Sequence, residues 1–434
     1  MTDRQTSERL VAAKALCRVE TGGYAGAVLD QALEQSGLEP RQRALATRLV
    51  YGVTSCKYRL DEAVDRLCGG RPLSVQVRTI LRLGLYQLAF CDGIPASAAV
   101  NETVKLAGPL RQIGATGLCN AVLRRFLREG KPLYEGEDLS VRYSVEPWIA
   151  KLWQKRYGGD TCRALLEAFA GEFPTFVRVN TQKTTAPALL ARWRAAGIPA
   201  AETGCENALR LEAAGRVPDL PGFAEGLFHV QDLSSQYCAL ALGAKPGERV
   251  IDFCAAPGGK SFTLAQMMGD KGELLACDLQ GYKAALIAEG AQRLGLSAVR
   301  AQVHDARQPL PGGEADRILC DVPCSGLGVM GKKPDLRYKR RDEVKDLPSL
   351  QLDILKNAAE HLRVGGELVY STCTLNPAEN QGVFGKFLRD DGRFVRVPIE
   401  PACPGAVKEE ETLTLFPHKT GTDGFFMAKC RRVK

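Results

Sequence analysis

Two cysteines of this chain stand where a thiol could react. Cys324 lies in Asp321-Val-Pro-Cys-Ser-Gly-Leu-Gly328, and Cys373 in Tyr370-Ser-Thr-Cys-Thr-Leu-Asn-Pro377. Each follows an apolar run of strand length and opens a polar loop rich in glycine or proline. A cysteine at a strand end is commonly inert packing, so its meaning depends on what lies nearby. A third stretch, Arg249-Val-Ile-Asp-Phe-Cys-Ala-Ala-Pro-Gly-Gly-Lys260, reads as a strand, a tight glycine turn and a helix. That arrangement turns free backbone N–H groups toward a nucleotide-like ligand, although a plain structural turn fits the same pattern. A thiolate beside an adenosine site suits methylation of cytosine. Carbon 5 of that ring is a poor nucleophile, and thiolate addition at carbon 6 converts the ring to an enamine that can attack an electrophilic methyl group. Such a mechanism needs a thiolate, an acid group to hydrogen-bond N3, a methyl donor such as S-adenosylmethionine, and a means of expelling the thiol.

The glycine turn differs from its look-alikes. A GxxxxGK[ST] phosphate loop ending at Gly259-Lys260-Ser261 would need glycine at Cys254, and a GxGxxG fingerprint fails at Ala255 and Ala256. Asp278 ends the next apolar run, about 20 residues on, where a carboxylate can accept hydrogen bonds from both ribose hydroxyls. Asp305 and Asp321 end two later runs. One strand-end aspartate is a common turn former; three on the ligand edge of one sheet favour a site. Asp321 is expected to hydrogen-bond the target ring in a protonated or proton-sharing state. Adenine-N6 transferases carry Pro-Pro-aromatic after that acid, and Val322-Pro323-Cys324 does not match.

The elements that position these residues follow from periodicity. Residues 1 to about 140 read as helices, with apolar stretches over 75–90 and 116–127 and a stop at Gly130 before Pro132. Arg124, Arg125 and Arg128 give the last of these helices a basic face, which suits phosphate contact or simple solvation equally. From 141 to 232, helices give way to an alternating strand, Thr175-Phe-Val-Arg-Val179, a helix over about 186–196 and short strands near 209–211 and 226–230. From 233 onward strands and helices alternate in doubly wound fashion, with strands expected at 273–278, 299–305, 316–321, 367–373, 393–399 and 424–431 after the opening one.

A chain of 434 residues has the length for two to three domains. No apolar run is long enough to span a membrane, and Met1-Thr-Asp-Arg-Gln-Thr has no signal-peptide core. Fifteen cysteines without a CxxC pair read as reduced cytosolic thiols. The four scattered histidines, His229, His304, His361 and His418, argue against a zinc site. The net charge is +8, and residues 1–142 hold 20 Lys and Arg against 15 Asp and Glu. Mild basicity fits a polyanionic partner and a merely soluble surface alike.

Asp252-Phe-Cys-Ala-Ala-Pro-Gly-Gly-Lys260, Asp321-Val-Pro-Cys-Ser-Gly326, Ser371-Thr-Cys-Thr-Leu-Asn-Pro-Ala-Glu-Asn380 and Asp423-Gly-Phe-Phe-Met427 together resemble the RNA 5-methylcytosine methyltransferases. Ile80-Leu-Arg-Leu-Gly-Leu-Tyr-Gln-Leu88 and Ala98-Ala-Val-Asn-Glu-Thr-Val104 resemble the NusB-type RNA-binding helical domain, which narrows the likeness to the RsmB (Sun/Fmu) type acting on small-subunit (16S) ribosomal RNA. The resemblance implies an all-α NusB-like domain over 1–140 and an α+β ferredoxin-like domain over 141–232. Residues 233–434 would form a Rossmann-like methyltransferase domain with a mostly parallel seven-stranded sheet. It further implies that Cys254, Ala255, Ala256, Pro257, Gly258, Gly259 and Lys260 cradle S-adenosylmethionine. Asp278 would bind its ribose, Asp305 would lie near its adenine, and Asp321 would bound the cofactor site and contact the base. Cys373 would be the nucleophile and Cys324 would help release product; DNA cytosine methyltransferases instead attack with the Pro-Cys cysteine. The basic run Lys332, Lys333, Arg337, Lys339 and Arg340 then looks like a phosphate-contacting loop. Lys283, where the family often has arginine, and the varied loop 327–333 depart from the family pattern. The expected protein is a cytoplasmic monomer that binds ribosomal RNA and uses neither metal nor membrane, with its target base out of the stack. The same chemistry on transfer RNA, a non-catalytic RNA-binding factor and a nicotinamide oxidoreductase are the alternatives.

Overall fold

Helix signals dominate the first 170 residues, and helices form there. Ser74 caps Val75–Phe90 by accepting from the Val77 N–H, and the helix buries Ile80, Leu81, Leu83 and Leu85 completely. Glu8–Glu20, Pro40–Ser55, Lys57–Cys68 and Thr116–Glu129 pack around it. Gly130, at φ +60°, ends the last of these as its position predicts. Gly84 allows the close approach of Leu123, whose methyl carbon would stand 2.6 Å from a Cβ there. Arg82 is buried and held by Glu20 and Asp61 at 2.9 and 2.7 Å, so the charge inside the bundle is paired.

The computed structural model describes residues 7–130, 132–212, 216–401 and 403–434, and divides into two compact units. The first runs to Ala170 and includes Met330–Arg340; the second is Gly171–Val329 with Arg341–Lys434. Pro147–Tyr157 and Gly159–Ala170 thus group with the helices before them, beyond the boundary expected near 140.

Met330–Arg340 corrects one expectation. Arg337, assigned above to phosphate contact, is 1% exposed. Its guanidinium donates to the carbonyls of Tyr143, at 2.9 Å, and Phe169. Asp335 accepts from the Ala25 N–H at 2.8 Å, at the start of the helix Ala25–Glu34, and Trp148 Nε1 donates to the Lys339 carbonyl at 2.8 Å. Donors taken up by carbonyls so distant in sequence leave Arg337 no face for RNA.

In the second unit, four short strands form an antiparallel sheet in the order β2-β3-β1-β4: β1 (Thr175–Val179), β2 (Ala200–Glu202), β3 (Ala208–Leu211) and β4 (Phe228–Val230). The helix Ala186–Ala195, capped by Thr185, buries Trp193 against Phe228 with ring centroids 5.1 Å apart. Asn180 Nδ2 donates to the Leu294 carbonyl at 2.8 Å, which ties this ferredoxin-like sheet to the larger one.

The larger sheet comprises β5 (Arg249–Asp252), β6 (Glu273–Asp278), β7 (Val299–Val303), β8 (Ala315–Asp321), β9 (Leu362–Thr372), β10 (Phe394–Arg396), β11 (Val407–Glu409), β12 (Thr412–Leu415) and β13 (Phe425–Arg432). Its order is β11-β12-β13-β9-β8-β5-β6-β7, with β10 on β13. The run from β9 to β7 is parallel, and the strands beyond β9 are antiparallel. Nine strands replace the expected seven because the hairpin β11–β12 adds two short ones. β7 ends at Val303, so Asp305 stands in the loop beyond it.

Candidate active site

Parallel pairing brings the separate motifs to one edge. β8 and β9 register Asp321 opposite Ser371, so the loops carrying Cys324 and Cys373 leave the sheet side by side. β5 and β6 lie next in the sheet, and their carboxyl ends are Asp252 and Asp278. This edge, where strand order reverses around β5, is where open α/β sheets bind ligands.

The glycine turn shapes the cradle. Gly258 has φ +105°, and a Cβ there would meet the Phe262 ring, so no larger residue fits. Its turn feeds the helix Gly259–Met267, whose first N–H groups face the strand ends. Asp278 is nearly buried, and its two carboxylate oxygens accept from the N–H groups of Ala256 at 3.4 Å and Gln280 at 3.2 Å. Lys283 Nζ lies 3.8 Å from the same carboxylate. A cavity of about 490 Å³ opens beside them, and Cys254, Ala256, Asp278, Asp305 and Asp321 all border it. Ala255, Pro257, Gly258 and Gly259 form the turn behind it. Asp305 is clamped by Arg307, whose Nη2 lies 2.6 Å from Oδ2; the hydrogen bonds from Arg307 hold its pKa down at about 2.

Asp252 is a group to which sequence reasoning assigned no role. It is wholly buried, and Ser261 Oγ donates to its Oδ2 at 2.6 Å. Its Oδ1 has no partner among the described residues, and burial pushes its pKa up to about 7.

The two cysteines follow Asp321 and Ser371 in the loops that leave β8 and β9. Cys324 Sγ and Cys373 Sγ are 3.3 Å apart, and both residues are half-buried. The Cys324 thiol is pushed well above its ordinary range, first by its hydrogen bond with Cys373 and then by burial. Lys260 Nζ lies 2.6 Å from Asp321 Oδ2, and Ser371 Oγ donates to Oδ1 at 2.8 Å. Burial pulls the Lys260 pKa down, but Asp321 outweighs it and the net shift is upward. Lys260 is therefore an ammonium, held against Asp321. The Lys260 ammonium also stands 5.4 Å over the Phe425 ring.

Beneath the two cysteine loops lies a buried polar cluster to which sequence reasoning gave no role: Ser325, Gln351, Thr374, Asn376, Glu379 and Asn380. The signal for it was the polar run Asn376-Pro-Ala-Glu-Asn380 directly after a strand-end cysteine. Polar residues there have to be either exposed or mutually satisfied, and here they are satisfied.

The residues assigned to RNA lie in the first unit. Arg124, Arg125 and Arg128 are exposed on Thr116–Glu129; Arg124 Nε donates to Asn120 at 3.0 Å and Arg125 pairs with Glu129 at 2.7 Å. Lys333 and Arg340 are exposed, and Lys332 and Lys339 are half-buried. Among the described residues no group of three or more His, Cys, Asp or Glu could hold a metal ion, and no helix is long and apolar enough to cross a membrane.

Comparison with known proteins divides the chain into three segments. Residues 239–431 match the family model for the 16S rRNA methyltransferases RsmB/F, residues 6–128 the NusB family, and residues 146–218 the ferredoxin-like domain of RsmF/B-like methyltransferases. A protein of Synechocystis sp. named "Probable ribosomal RNA small subunit methyltransferase B" is 38% identical over 427 residues, covering 94% of this chain and 96% of its own. A protein of Bacillus subtilis with the same name is 36% identical over 447 residues, covering 99% of both chains. A solved methyltransferase homolog protein from Pyrococcus horikoshii is 30% identical with a TM-score of 0.60, over 68% of this chain and 98% of its own.

Proposed function

The chain belongs to the RsmB/F family of 16S rRNA methyltransferases, and from that premise we propose that it methylates carbon 5 of a cytosine in small-subunit ribosomal RNA through a covalent adduct between Cys373 and carbon 6. The observation that carries this reading is the pair of half-buried thiols 3.3 Å apart, one of them in the residue after Pro323, which itself borders the cavity. A single nucleophile would need only one of them. S-adenosylmethionine, when bound, supplies the electrophilic methyl group. Asp278 offers its carboxylate to the ribose, Asp305 lies on the adenine side, and the turn 254–259 lends its backbone to the rest of the ligand.

Cys373 attacks carbon 6 from the face of the ring, which requires the base to leave its stack. Negative charge then spreads over O2 and N3, and the Lys260–Asp321 pair is the group that meets it. Lys260 supplies the positive charge and a proton, and Asp321 orients it. After carbon 5 is methylated, a water takes its proton, the C5–C6 double bond re-forms from that electron pair, and the Cys373 thiolate leaves. Cys324, 3.3 Å from that sulfur, assists its departure by hydrogen-bonding it as it leaves. Arg124, Arg125 and Arg128 and the exposed Lys333 and Arg340 are proposed to contact RNA phosphates.

The test separates the two sulfurs. Cys373→Ala abolishes methylation of a small-subunit RNA transcript, and wild-type turnover by that variant removes the mechanism. Cys324→Ala accumulates a protein–RNA adduct that survives a denaturing gel. An adduct in Cys373→Ala and none in Cys324→Ala would reverse the two roles. Bisulfite sequencing of the RNA from a deletion strain identifies the carbon and the position together.

A further inference from the structure

The two cysteine loops are fastened to each other at more than one point. Ser325 Oγ and Thr374 Oγ1, on the residues that follow Cys324 and Cys373, are 2.7 Å apart. The Gly328 N–H donates to the Cys373 carbonyl at 2.9 Å. Glu379 accepts from both loops and from the helix Leu347–Glu360: its Oε2 from the Ser325 N–H at 2.8 Å and Gln351 Nε2 at 2.9 Å, its Oε1 from Asn376 Nδ2 at 2.9 Å. Within this frame the two sulfurs lie 3.3 Å apart, and both residues are half-buried. Ten of the fifteen cysteines are buried, and Cys254 is the other half-buried thiol of this unit. An oxidant from solvent therefore meets a contacting pair of thiols here, where elsewhere it meets single or sealed ones.

We propose that Cys324 and Cys373 form a reversible disulfide, which switches the site off under peroxide and is opened again by a dithiol reductant. A disulfide holds its sulfurs at about 2.05 Å, so a pair already at 3.3 Å closes by roughly 1.2 Å, and the loops do not have to be gathered from a distance. The chemistry is the same whichever sulfur reacts first. One thiolate attacks a peroxide oxygen, the O–O bond breaks, and the products are a sulfenic acid and hydroxide, which takes a proton to become water. The second sulfur then attacks the sulfenic sulfur; the S–S bond forms, the S–O bond breaks, and the departing hydroxide leaves as a second water with the thiol proton. Two thiols and one peroxide thus become one disulfide and two waters. A dithiol reverses the step by exchange and is itself oxidised to its disulfide. The disulfide has no thiolate to add to carbon 6, whereas the cofactor cradle at the ends of β5 and β6 is untouched. The second thiol also protects the first: a sulfenic acid captured at once does not go on to the sulfinic acid, which thiols cannot reduce. Loss of methylation on closure rests on the covalent-cysteine reading; closure itself does not.

The reduced full chain is treated with hydrogen peroxide in the absence of RNA, the remaining thiols are blocked, and its peptides are mapped by mass spectrometry without reduction. The expected product is the Cys324 peptide joined to the Cys373 peptide, two hydrogens lighter than the separate pair. Methylation of a small-subunit transcript falls in proportion to the joined fraction, and dithiothreitol returns both to their starting values. Calorimetry on the joined protein shows unchanged affinity for S-adenosylmethionine. Cys324→Ser removes the trapping thiol, and peroxide then carries Cys373 to the sulfinic acid, a peptide with two added oxygens that dithiothreitol does not reverse. Should that variant not fold, the wild-type map and its reversal decide alone. No Cys324–Cys373 link, a link from either residue to Cys254 in its place, full methylation by the joined protein, or sulfinic acid at Cys373 in the wild type as readily as in Cys324→Ser each overturns the inference. The covalent-cysteine reading is tested by Cys373→Ala in reduced protein, and a missing disulfide leaves that result as it stands, so the two fail separately.

Discussion

At the scale of single residues, Asp252 shows what a sealed carboxylate costs the fold. Its pKa is raised from 3.8 to about 7, because burial penalises the anion more than Ser261 and Lys260 stabilise it. The sign follows directly. Between about pH 4 and 7 the native state keeps a proton that the unfolded chain has released, so stability falls as pH rises, by about 1.4 kcal/mol per unit. Summed over that window the loss is roughly 4 kcal/mol at neutral pH relative to acid. Asp252→Asn cannot ionise, so in urea titrations its stability relative to the wild type should climb by a few kcal/mol from pH 4 to 8. Parallel curves for the two proteins would exclude Asp252 as the titrating group. Residues of this kind mark the limit of what sequence can reveal. Cys324, Cys373 and Asp278 stand at strand ends beside glycine or proline, and a strand end is a local signal. The partnerships of Glu379 with Ser325 and Gln351 join residues 54 and 28 positions apart, and no local pattern records them. The ion pair between Lys260 and Asp321 was hidden for the same reason: Lys260 follows the glycine turn and so read as part of the cradle.

Elements were legible where their period was long. The helix Val75–Phe90 and the strands β5, β6 and β8 follow from runs whose apolar spacing matches their burial. The hairpin β11–β12 did not, since its strands are three and four residues long and its first is mostly charged; pairing with β13 determines it. The closest contact between elements is also invisible to periodicity. Gly328, in the loop after Cys324, and Gly424, just before β13, exchange backbone hydrogen bonds with their neighbours: Gly424 N–H donates to the Gly328 carbonyl at 2.8 Å, and Gly328 N–H to the Cys373 carbonyl at 2.9 Å. A Cβ on Gly328 would collide with the Gly424 carbonyl oxygen, which is backbone and cannot swing aside. Gly328→Ala should therefore separate the two cysteine loops. We expect destabilisation of about 2 kcal/mol or more, read as a lower thermal midpoint, and loss of methylation with cofactor affinity by calorimetry retained, because the cradle is made by β5 and β6. Full activity in the alanine variant would show that the loops tolerate separation.

Over the whole molecule, charge carries the remaining argument. The net charge of +8 belongs to a chain whose cavity edge pairs Asp278 with Lys283 and Asp305 with Arg307, so those cations are engaged by carboxylates. Charge runs alone could not separate solvated cations from structural ones, and Arg337 is the instance: it sits among lysines and arginines in sequence, yet its guanidinium is consumed by two carbonyls of the helical unit. Arg124, Arg125 and Arg128 remain exposed on a helix end, and although Arg125 pairs with Glu129, such surface pairs are weak and exchange readily for a phosphate. Each phosphate they neutralise releases condensed counterions, so the logarithm of RNA affinity falls with the logarithm of salt by about 0.7 to 0.9 per contact. Replacing all three by glutamine should lower affinity for a small-subunit transcript and flatten that slope by about two. The loss should be erased in high salt, where the wild type has lost the same contacts. It should appear in KM more than in kcat, because the thiols and the Lys260–Asp321 pair are untouched. Filter binding of wild type and triple variant between 50 and 300 mM salt decides it: parallel slopes would mean that this face is solvated, and that RNA is gripped by cations other than these three.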